Sequence, residues 1–381
     1  MQSCARLDYS TAQNIIDKMK KGDHDFSNMD EDFWPTSRRP IGGTTCEEVA
    51  ADVKLMHEVA MKRRKLRFEN GAIALNRTKL VFKYDTSAKK VKDCEPYPVK
   101  ESNQLIEEYM LLANYLVAER LLTHAGGLAL IRSHPPPLSS ILGNVIHGAK
   151  VAGISIDASS SGALQKSLNR ISCQCENEIM LQSLTSLLTV PMKPANYIAA
   201  GEYDALDWRH FALNIPYYTH FTSPIRRYPD IVVHRLLEAT LLESVDDFEL
   251  SQKDINNVAH HCNSKRKNSK GAQERSDIVF LSLFLKENPI LDTLGVVIGV
   301  GIKTFTVLIP SLGVDQFVML DEHNNLSSEV VEDRRLIILN NKNNDDTWEE
   351  IEIKLFARIR VMCQCREKTP IDVRVTIVGP G

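Results

Sequence analysis

The chain has 381 residues, of which 43% are hydrophobic and 25% are charged, and such proportions are typical of globular proteins rather than disordered or fibrous ones. This length allows one large domain together with a smaller one. The formal net charge of −3 excludes a uniformly basic surface, so nucleic-acid binding requires a local concentration of Lys and Arg. No apolar run approaches the roughly 20 residues of a membrane-spanning helix. We expect a soluble protein of the cytosol or the nucleus, without a membrane partner.

The eight cysteines are spread over the whole length. They include two C-x-C pairs, but the C-x2-C spacing of a zinc site is missing. We therefore interpret them as reduced thiols.

The first long helix is predicted over residues 46–68. Its apolar residues recur near helical spacing: Val49, Val53, Met56, Val59 and Ala60. It ends in the basic run KRRKLR, which admits two interpretations: a solvated helix end whose cations complement the dipole, or a patch that contacts RNA. The next stretch, GAIALNRTKLVFKYD, alternates apolar and polar residues and predicts a β-hairpin.

The second long helix is predicted over residues 102–122, with Ser102 as its N-cap. It is apolar almost all round, as a helix in the middle of a large domain is. Glu107 and Glu108 interrupt this surface, and Glu107 shares a face with Leu111, Asn114 and Ala118. Because a buried carboxylate must find a partner or stay neutral, two interpretations remain: a salt bridge in the core, or a carboxylate that lines a substrate channel.

The remainder of the chain changes from helical to strand patterns. RSHPPPLSS must be an extended connector because of its three prolines, and residues 141–215 are predicted to form short helices, among them GALQKSLNRI and ENEIMLQSLTSLL. From about residue 290 five stretches have a period of two, which predicts a small barrel of the OB type: LGVVIGV, TFTVLIP, VDQFVML, IEIKLFARIRVM and IDVRVTIVG. The fold class is α+β, with domains over residues 1–288 and 289–381.

The stretch HFTSPIRRYPD, residues 220–230, places two arginines in a constrained turn. Each of its prolines follows a residue that can precede a helix, and the second proline begins the longer helix, DIVVHRLLEATLL. This helix has an apolar face that should pack on the core: Val233, Leu236, Leu237, Thr240 and Leu241.

Arg226 and Arg227 face the positive end of that helix, which is unfavourable for cations. An anion would resolve the conflict. Free N–H groups, the hydroxyls of Thr222 and Ser223, and two guanidinium groups make a phosphate-binding arrangement. The alternative is a pair of structural arginines that bridge carboxylates elsewhere.

The hallmark HFTSPIRRY-x-D…HR is complete between His220 and Arg235. Through it the chain resembles the RNase II (RNB) family of processive 3′-to-5′ exoribonucleases. IEEYMLLANYLVAERLL, RSHPPP and DASSSGALQKSL extend the similarity over nearly the full length. With HHCNSKRKNSKGAQERS, they look most like the eukaryotic Dis-three-like branch, which acts on oligouridylated RNA without the exosome. The resemblance implies the C-terminal part of a mainly helical RNB catalytic domain followed by an S1-type OB barrel that binds RNA.

The resemblance also implies roles for single residues. Arg226, the first arginine after SPI, would be the catalytic residue that contacts the scissile phosphate and stabilises the charge developing there. Tyr9 and Glu107 match a tyrosine and a glutamate that hold the 3′-terminal nucleotide and its sugar hydroxyls. The complete predicted RNA-binding set is Tyr9, Glu107, Thr222, Ser223, Arg227 and Tyr228.

The family's reaction uses Mg²⁺ held by aspartates in a motif like D-x-D-D-A, and no such motif occurs in this sequence. In relatives it lies upstream of the segment that matches Tyr9, so we expect an N-terminally truncated portion of the enzyme, and we assign no metal ligands within it. Phosphodiester hydrolysis needs an activated water and charge neutralisation, which paired metals usually provide. We therefore predict that this chain binds RNA weakly and does not cleave it.

Two functional hypotheses follow. In the first, the chain is part of a 3′–5′ exoribonuclease that hydrolyses single-stranded, 3′-uridylated RNA to nucleoside monophosphates in RNA decay. In the second, it is a natural short form that binds RNA without catalysis. In both, we expect a cytoplasmic monomer that binds single-stranded RNA and has no stable association with the exosome.

Overall fold

The computed structural model describes residues 3–26, 29–75, 79–87, 89–174, 178–301, 303–320, 326–331, 336–341, 350–366 and 370–381. The chain divides into two compact units. Unit 1 comprises Met1–Ala72, Pro98–Pro135 and Ala195–Cys262. Unit 2 comprises Ile73–Tyr97, Pro136–Pro194 and Asn263–Gly381. Within the described part of the chain, no helix combines the length and the apolar character needed to cross a membrane.

The α-helices, in chain order, are α1 (Tyr9–Lys20), α2 (Cys46–Glu69), α3 (Glu101–His124), α4 (Ser139–Val151), α5 (Ser161–Gln174), α6 (Glu178–Thr189), α7 (Tyr228–Leu241) and α8 (Gln252–Glu287). The strands are β1 (Leu80–Asp85), β2 (Lys90–Pro96), β3 (Leu130–Ser133), β4 (Asn196–Ala199), β5 (Ile290–Val300), β6 (Thr304–Ile309), β7 (Val314–Met319), β8 (Leu326–Val331), β9 (Leu336–Asn341), β10 (Glu350–Ile353), β11 (Arg358–Arg366) and β12 (Asp372–Pro380). The predicted α+β organisation is confirmed. Helix α8 ends and β5 begins on either side of the predicted boundary at residue 288.

Helix α2 in unit 1 confirms the first predicted long helix. It begins with a capping box, in which the Thr45 side chain accepts from the Glu48 N–H and the Glu48 side chain accepts from the Thr45 N–H, so two otherwise unpaired donors are satisfied. Val49, Val53 and Ala60 are buried in a core with α1. Met56 and Val59 are exposed instead, because only one stripe of α2 contacts its neighbours.

Helix α3 confirms the second predicted long helix, but its N-cap is Lys100 and not Ser102. The Ser102 hydroxyl instead donates to the backbone oxygen of Tyr9 at 2.8 Å and ties α3 to α1. The helix is less completely buried than predicted, since Ile106 and Leu116 are exposed. The apolar pattern thus predicted the helix correctly but not which of its faces is covered.

Helix α7 begins one residue earlier than predicted, at Tyr228, with Arg227 as N-cap and a proline in its first turn. Val232, Val233 and Leu236 are fully buried against β3 and β4, and each such side chain contributes about 1.5–3 kcal/mol through its burial. Leu241 is exposed, so the predicted apolar face was wrong at this position. The buried face fixes the start of α7 in unit 1.

Helices α4, α5 and α6 lie in unit 2 and agree with the short helices predicted after the proline-rich connector. The predicted ENEIMLQSLTSLL falls on α6, although residues 175–177 lie outside the described residues. The same region also contains β4, which was not predicted. It pairs antiparallel with β3 in unit 1. Strand β3 begins with the last two residues of the apolar stretch LALI, shortly before the prolines. A four-residue strand is too short to show a period.

The hairpin of unit 2 lies further along the chain than predicted. Strand β1 pairs with β2, whereas the prediction placed both strands within residues 71–85. Residues 76–78 lie outside the described residues. The ring of Phe82 on β1 stacks on Phe280 of α8, with ring centroids 5.8 Å apart. This aromatic contact, at long sequence separation, fixes the hairpin in place.

The C-terminal sheet of unit 2 has the antiparallel strand order β12-β11-β5-β6-β7. Its edge strands β7 and β12 contact each other, so the sheet curls towards a barrel. Four of its strands match the predicted stretches. The remaining predicted stretch, IEIKLFARIRVM, turns at Phe356, whose φ is +65°, and therefore divides into β10 and β11. Strand β10 belongs to a separate sheet with β9 and β8, which the sequence pattern did not predict.

Candidate functional site

The segment 218–221 is anchored to two elements of unit 1. The Thr219 hydroxyl donates to the Leu130 oxygen at 2.6 Å, and the Arg132 N–H donates to the Tyr218 oxygen at 2.7 Å, both on β3. From α3, the buried side chain of Asn114 donates to the Tyr218 hydroxyl at 2.8 Å and accepts from the Phe221 N–H at 2.8 Å. The arginine-containing loop therefore begins from a fixed position.

Two histidines make polar contacts that support the loop. The Tyr197 hydroxyl and His220 Nδ1 are 2.6 Å apart, and His234 Nε2 lies 2.8 Å from the Phe221 oxygen. Burial, with the charges of Arg227, His210 and Arg226, lowers the pKa of His220 to about 3. Burial raises the pKa of Tyr218 to about 12. The side chains of His220 and Tyr218 are therefore polar but uncharged at neutral pH.

Asp230 organises the turn that carries both arginines. It is fully buried, and its carboxylate accepts from the Ser223 N–H at 2.7 Å and from Arg227 Nε and Nη2 at 2.8 and 2.7 Å. The N–H groups of Arg226 and Arg227 both donate to the Ser223 oxygen, at 3.2 and 3.1 Å. Charge-assisted bonds of this kind are strong and geometrically specific. For Arg227, the structure therefore shows the structural pairing that was the alternative interpretation.

Arg226 differs from its neighbour. It is exposed, its Nη2 lies 3.4 Å from the Ser223 hydroxyl oxygen, and it makes no ion pair with the described residues. Tyr228 is exposed beside it. The Thr222 hydroxyl oxygen in the same loop is buried and has no hydrogen-bond partner among the described residues. An exposed guanidinium with nearby hydroxyls at the start of a helix is a suitable site for an oxyanion.

The two other predicted contacts lie on α1 and α3. Tyr9 is the first residue of α1, and about half of its side chain is exposed. Glu107 is 41% exposed and accepts from Arg64 Nη1 at 3.0 Å. The carboxylate buried in the helix surface is that of Glu108, which is 1% exposed and accepts from Arg67 Nη2 at 2.6 Å. The structure therefore buries Glu108 and not Glu107, for which burial was expected. Both carboxylates form salt bridges with arginines.

The same ion pairs explain part of the basic run at the end of α2. Arg64 and Arg67 both contact the Phe68 ring, with guanidinium carbons 5.0 and 4.8 Å from its centroid. Both arginines contact Glu107 and Glu108. These two cations therefore have structural partners.

The carboxylates of unit 1 do not suit a divalent metal. Within the described ranges, no three His, Cys, Asp or Glu side chains come together as metal ligands. Asp230 and Glu108 are already paired with arginines. In the most acidic stretch, Asp30 accepts from the Phe33 N–H and Glu31 from the Thr36 N–H, so these carboxylates cap local turns. The residues present do not fit a Mg²⁺ cluster.

No supporting role was predicted from the sequence for several residues that hold the loop in place: Asn114, Arg132, Tyr197, His220, His234 and Asp230. Asp230 could have been found, because it lies three residues after Arg227 in a helical first turn, where such pairs meet. The contacts of Asn114 and Tyr197 with this loop could not, since they come from distant parts of the chain.

Comparisons with known proteins identify the family of the chain. Residues 1–243 match the RNB domain. The chain is 36% identical over 317 residues to DIS3-like exonuclease 2 of Xenopus tropicalis, covering 82% of this chain and 37% of that protein. It is 37% identical over 289 residues to DIS3-like exonuclease 2 of Schizosaccharomyces pombe, covering 75% of this chain and 29% of that protein. It is also 30% identical over 381 residues to inactive exonuclease DIS3L2 of Arabidopsis thaliana, covering 87% of this chain and 35% of that protein. The chain thus spans about a third of the length of these relatives.

Two solved structures share the fold. RNase R of Mycoplasma genitalium in complex with ribose-methylated single-stranded RNA is similar with a TM-score of 0.70 and 17% identity, over 92% of this chain and 50% of that one. Yeast Ssd1, a pseudonuclease, is similar with a TM-score of 0.69 and 19% identity, over 86% of this chain and 51% of that one. Since the RNB match alone covers more than half of the sequence, the chain belongs to the RNB-domain family.

Proposed function

We propose that this chain is the RNA-binding portion of a 3′–5′ exoribonuclease that degrades single-stranded RNA to nucleoside monophosphates. The observation that carries the proposal is the exposed guanidinium of Arg226, which has no ion-pair partner among the described residues and stands on a turn fixed by Asp230. A preorganised cation at this point stabilises negative charge on a phosphate without reorganisation during the reaction. Mg²⁺ remains the proposed metal of the complete enzyme.

Ser223, Arg227 and Tyr228 have different parts in this proposal. The Ser223 hydroxyl lies beside the Arg226 guanidinium and would donate to the same phosphate. The guanidinium of Arg227 is bound by Asp230, so Arg227 contributes its charge and the shape of the turn. Tyr228 is exposed and offers a ring on which a base can stack. Tyr9 and Glu107 remain the proposed contacts of the 3′-terminal nucleotide.

The domain assignment is part of the same proposal. Residues 1–288 would be the C-terminal portion of the RNB catalytic domain. Residues 289–381 would form an S1-type RNA-binding domain, which the curled five-stranded sheet supports.

The arginine proposal is tested by RNA binding across a salt series. Arg226→Ala should weaken binding to oligouridylate about tenfold, because hydrogen bonds to charged groups are worth about 1.5–3 kcal/mol. The slope of log affinity against log salt should fall by about 0.7. Lys54→Ala, at an exposed position of α2, is the control and should retain the parental affinity. Parental affinity in Arg226→Ala would remove the assignment.

We further propose that the chain alone binds RNA without cleaving it. The support is the absence of a D-x-D-D-A motif from the sequence and the pairing of the nearby carboxylates with arginines. The purified chain should be incubated with Mg²⁺ and a 5′-labelled oligouridine RNA, with EDTA in a parallel reaction. An unchanged label is expected, and stepwise Mg²⁺-dependent shortening would show that the proposal is wrong.

The second candidate function is a natural short form that binds RNA without catalysis. It is supported by the similarity to an inactive exonuclease and to a pseudonuclease. Sequencing the transcript upstream of Met1 distinguishes the two. An in-frame aspartate-rich segment would identify the chain as part of the active enzyme, whereas an upstream stop codon would favour the short form.

The finer assignments follow the resemblance to the Dis-three-like branch. We propose a preference for RNA with a uridylated 3′ end, a cytoplasmic location, a monomeric state and no stable association with the exosome. Competition between 3′-oligouridylated and 3′-oligoadenylated RNA of equal length tests the first of these. Equal affinity for both would count against the branch assignment.

A further inference from the structure

Arg132 carries a buried positive charge to which the proposed function assigns no role. It lies on β3, its side chain is 4% exposed, and its Nη1 atom is buried without a hydrogen-bond partner among the described residues. Its guanidinium carbon lies 5.0 Å from the centroid of the Tyr197 ring. A cation–π contact offsets only part of the cost of burying a charge. In the described part of the chain, no carboxylate forms an ion pair with Arg132.

The surroundings of Arg132 adjoin the arginine loop. The Tyr197 ring that it covers has its hydroxyl on His220, the first residue of HFTSPIRRYPD, and the charges of Arg226 and Arg227 act on that hydroxyl. The Arg132 N–H also donates to Tyr218, two residues earlier. Arg132 and the loop are thus connected through a single aromatic side chain.

A second polar group of this region also has no partner. The Thr222 hydroxyl oxygen is buried and forms no hydrogen bond with the described residues, although buried hydroxyls are nearly always hydrogen-bonded. Its chemistry complements that of Arg132, since a hydroxyl and a guanidinium both donate to phosphate oxygens. The Thr222 hydroxyl lies in the same loop as the exposed Arg226, and Arg132 contacts that loop through Tyr197, so both donors adjoin the segment that carries the proposed anion site.

We propose that Arg132 and Thr222 form a second phosphate subsite, which binds an RNA backbone phosphate next to the one that Arg226 contacts. The proposal rests on the proposed function, because it needs RNA to pass the Arg226 turn. Arg132 is a binding residue here, and the phosphate supplies the negative charge that the guanidinium lacks in the RNA-free protein.

The first test substitutes Arg132 with an uncharged residue of similar length. Arg132→Met should leave the midpoint of thermal unfolding unchanged or raise it, because replacing an uncompensated buried charge by an apolar side chain removes its desolvation cost. The affinity for oligouridylate should nevertheless fall about tenfold or more. The slope against salt should decrease by about 0.7, as expected when one phosphate contact is lost from a single strand.

Arg120→Met is the matched control. Arg120 is likewise an arginine of unit 1, and it is partly buried. Its Nε and Nη2 donate to the side chain and the backbone oxygen of Thr240 at 3.2 and 3.0 Å. Its replacement should lower the unfolding midpoint and leave the RNA affinity of the folded protein unchanged. Opposite behaviour of these two arginines separates an anion-binding role from a structural one.

Thr222→Val keeps the test decisive if Arg132→Met does not fold. The isosteric change removes an unsatisfied hydroxyl, so it should keep or raise the unfolding midpoint and weaken RNA binding severalfold. Parental affinity and salt slope in the folded variants overturn the subsite. If Arg226→Ala binds like the parent as well, the proposed function itself fails; if only Arg226→Ala loses affinity, the proposed function stands and the subsite alone is wrong.

Discussion

Two arginine clusters of unit 1 balance their charges differently. At the junction of α2 and α3, Arg64 and Arg67 contact Glu107 and Glu108, two cations against two carboxylates. At the start of α7 there are two arginines, Arg226 and Arg227, but Asp230 forms an ion pair only with Arg227. The first cluster is neutral within itself, whereas the second retains an exposed positive charge. The excess cation, rather than the presence of arginine, distinguishes a binding surface from a structural contact.

The largest effect is expected at Asp230. Asp230→Asn removes the charge that pairs with Arg227. It also places an amide N–H group against one of the three donors that the carboxylate now accepts from, which are the Ser223 N–H and Arg227 Nε and Nη2. Breaking a buried pair from one side costs about 3–5 kcal/mol. Urea unfolding followed by circular dichroism measures the loss in free energy of unfolding. A loss below about 1 kcal/mol would show that Asp230 does not hold the turn, on the scale of surface pairs.

In the neutral cluster, replacing the two carboxylates should lower the free energy of unfolding by different amounts. Glu108→Gln should lower the free energy of unfolding by about 2–3 kcal/mol, because a buried charge-assisted contact with Arg67 is lost. Glu107→Gln, at a 41% exposed position, should cost about 0–1 kcal/mol. The same unfolding experiment compares them, and equal losses would contradict the difference in burial. The RNA affinity of Glu107→Gln tests the proposed contact of Glu107 with the 3′-terminal nucleotide.

The buried histidines predict a pH dependence. Burial lowers the pKa of His210 to about 3, helped by His134, and that of His220 to about 3, compared with about 6.5 in an unfolded chain. The unfolded state therefore binds more protons, and stability is present above pH 6.5 and lost as the pH falls towards 3. Each histidine should contribute on the order of 1 kcal/mol per pH unit in this range.

Unfolding midpoints measured from pH 7 to pH 5 test this dependence, since most carboxylates have not yet titrated there. His220→Asn should reduce the slope, and an unchanged slope would show that folding does not lower the pKa of His220. Lys54→Ala serves again as the variant that should follow the parent.

The smallest effect on stability is expected at Arg226. Because its side chain is exposed and makes one 3.4 Å contact, with Ser223, Arg226→Ala should change the free energy of unfolding by no more than about 0.5 kcal/mol. The same variant is expected to lose RNA affinity. A large loss in the free energy of unfolding would show that Arg226, like Arg227, stabilises the fold.

Local sequence patterns account for the long helices and for most strands of the C-terminal sheet. The apolar periodicity of α2 and α3, the proline in the first turn of α7 and the alternation of β5, β6, β7 and β12 depend on neighbours within a few residues, so a local pattern suffices to predict them. The motif around Arg226 was recognised for the same reason, as a continuous run of letters.

Which charges find a partner depends on tertiary contacts. The burial of Glu108 instead of Glu107, the pairing of Arg227 with Asp230, and the unpaired state of Arg132 depend on groups brought together from distant parts of the chain. The same holds for strand β4, which pairs with a partner more than sixty residues away. An ion pair forms between side chains that meet in space, and a local sequence pattern carries no record of that meeting.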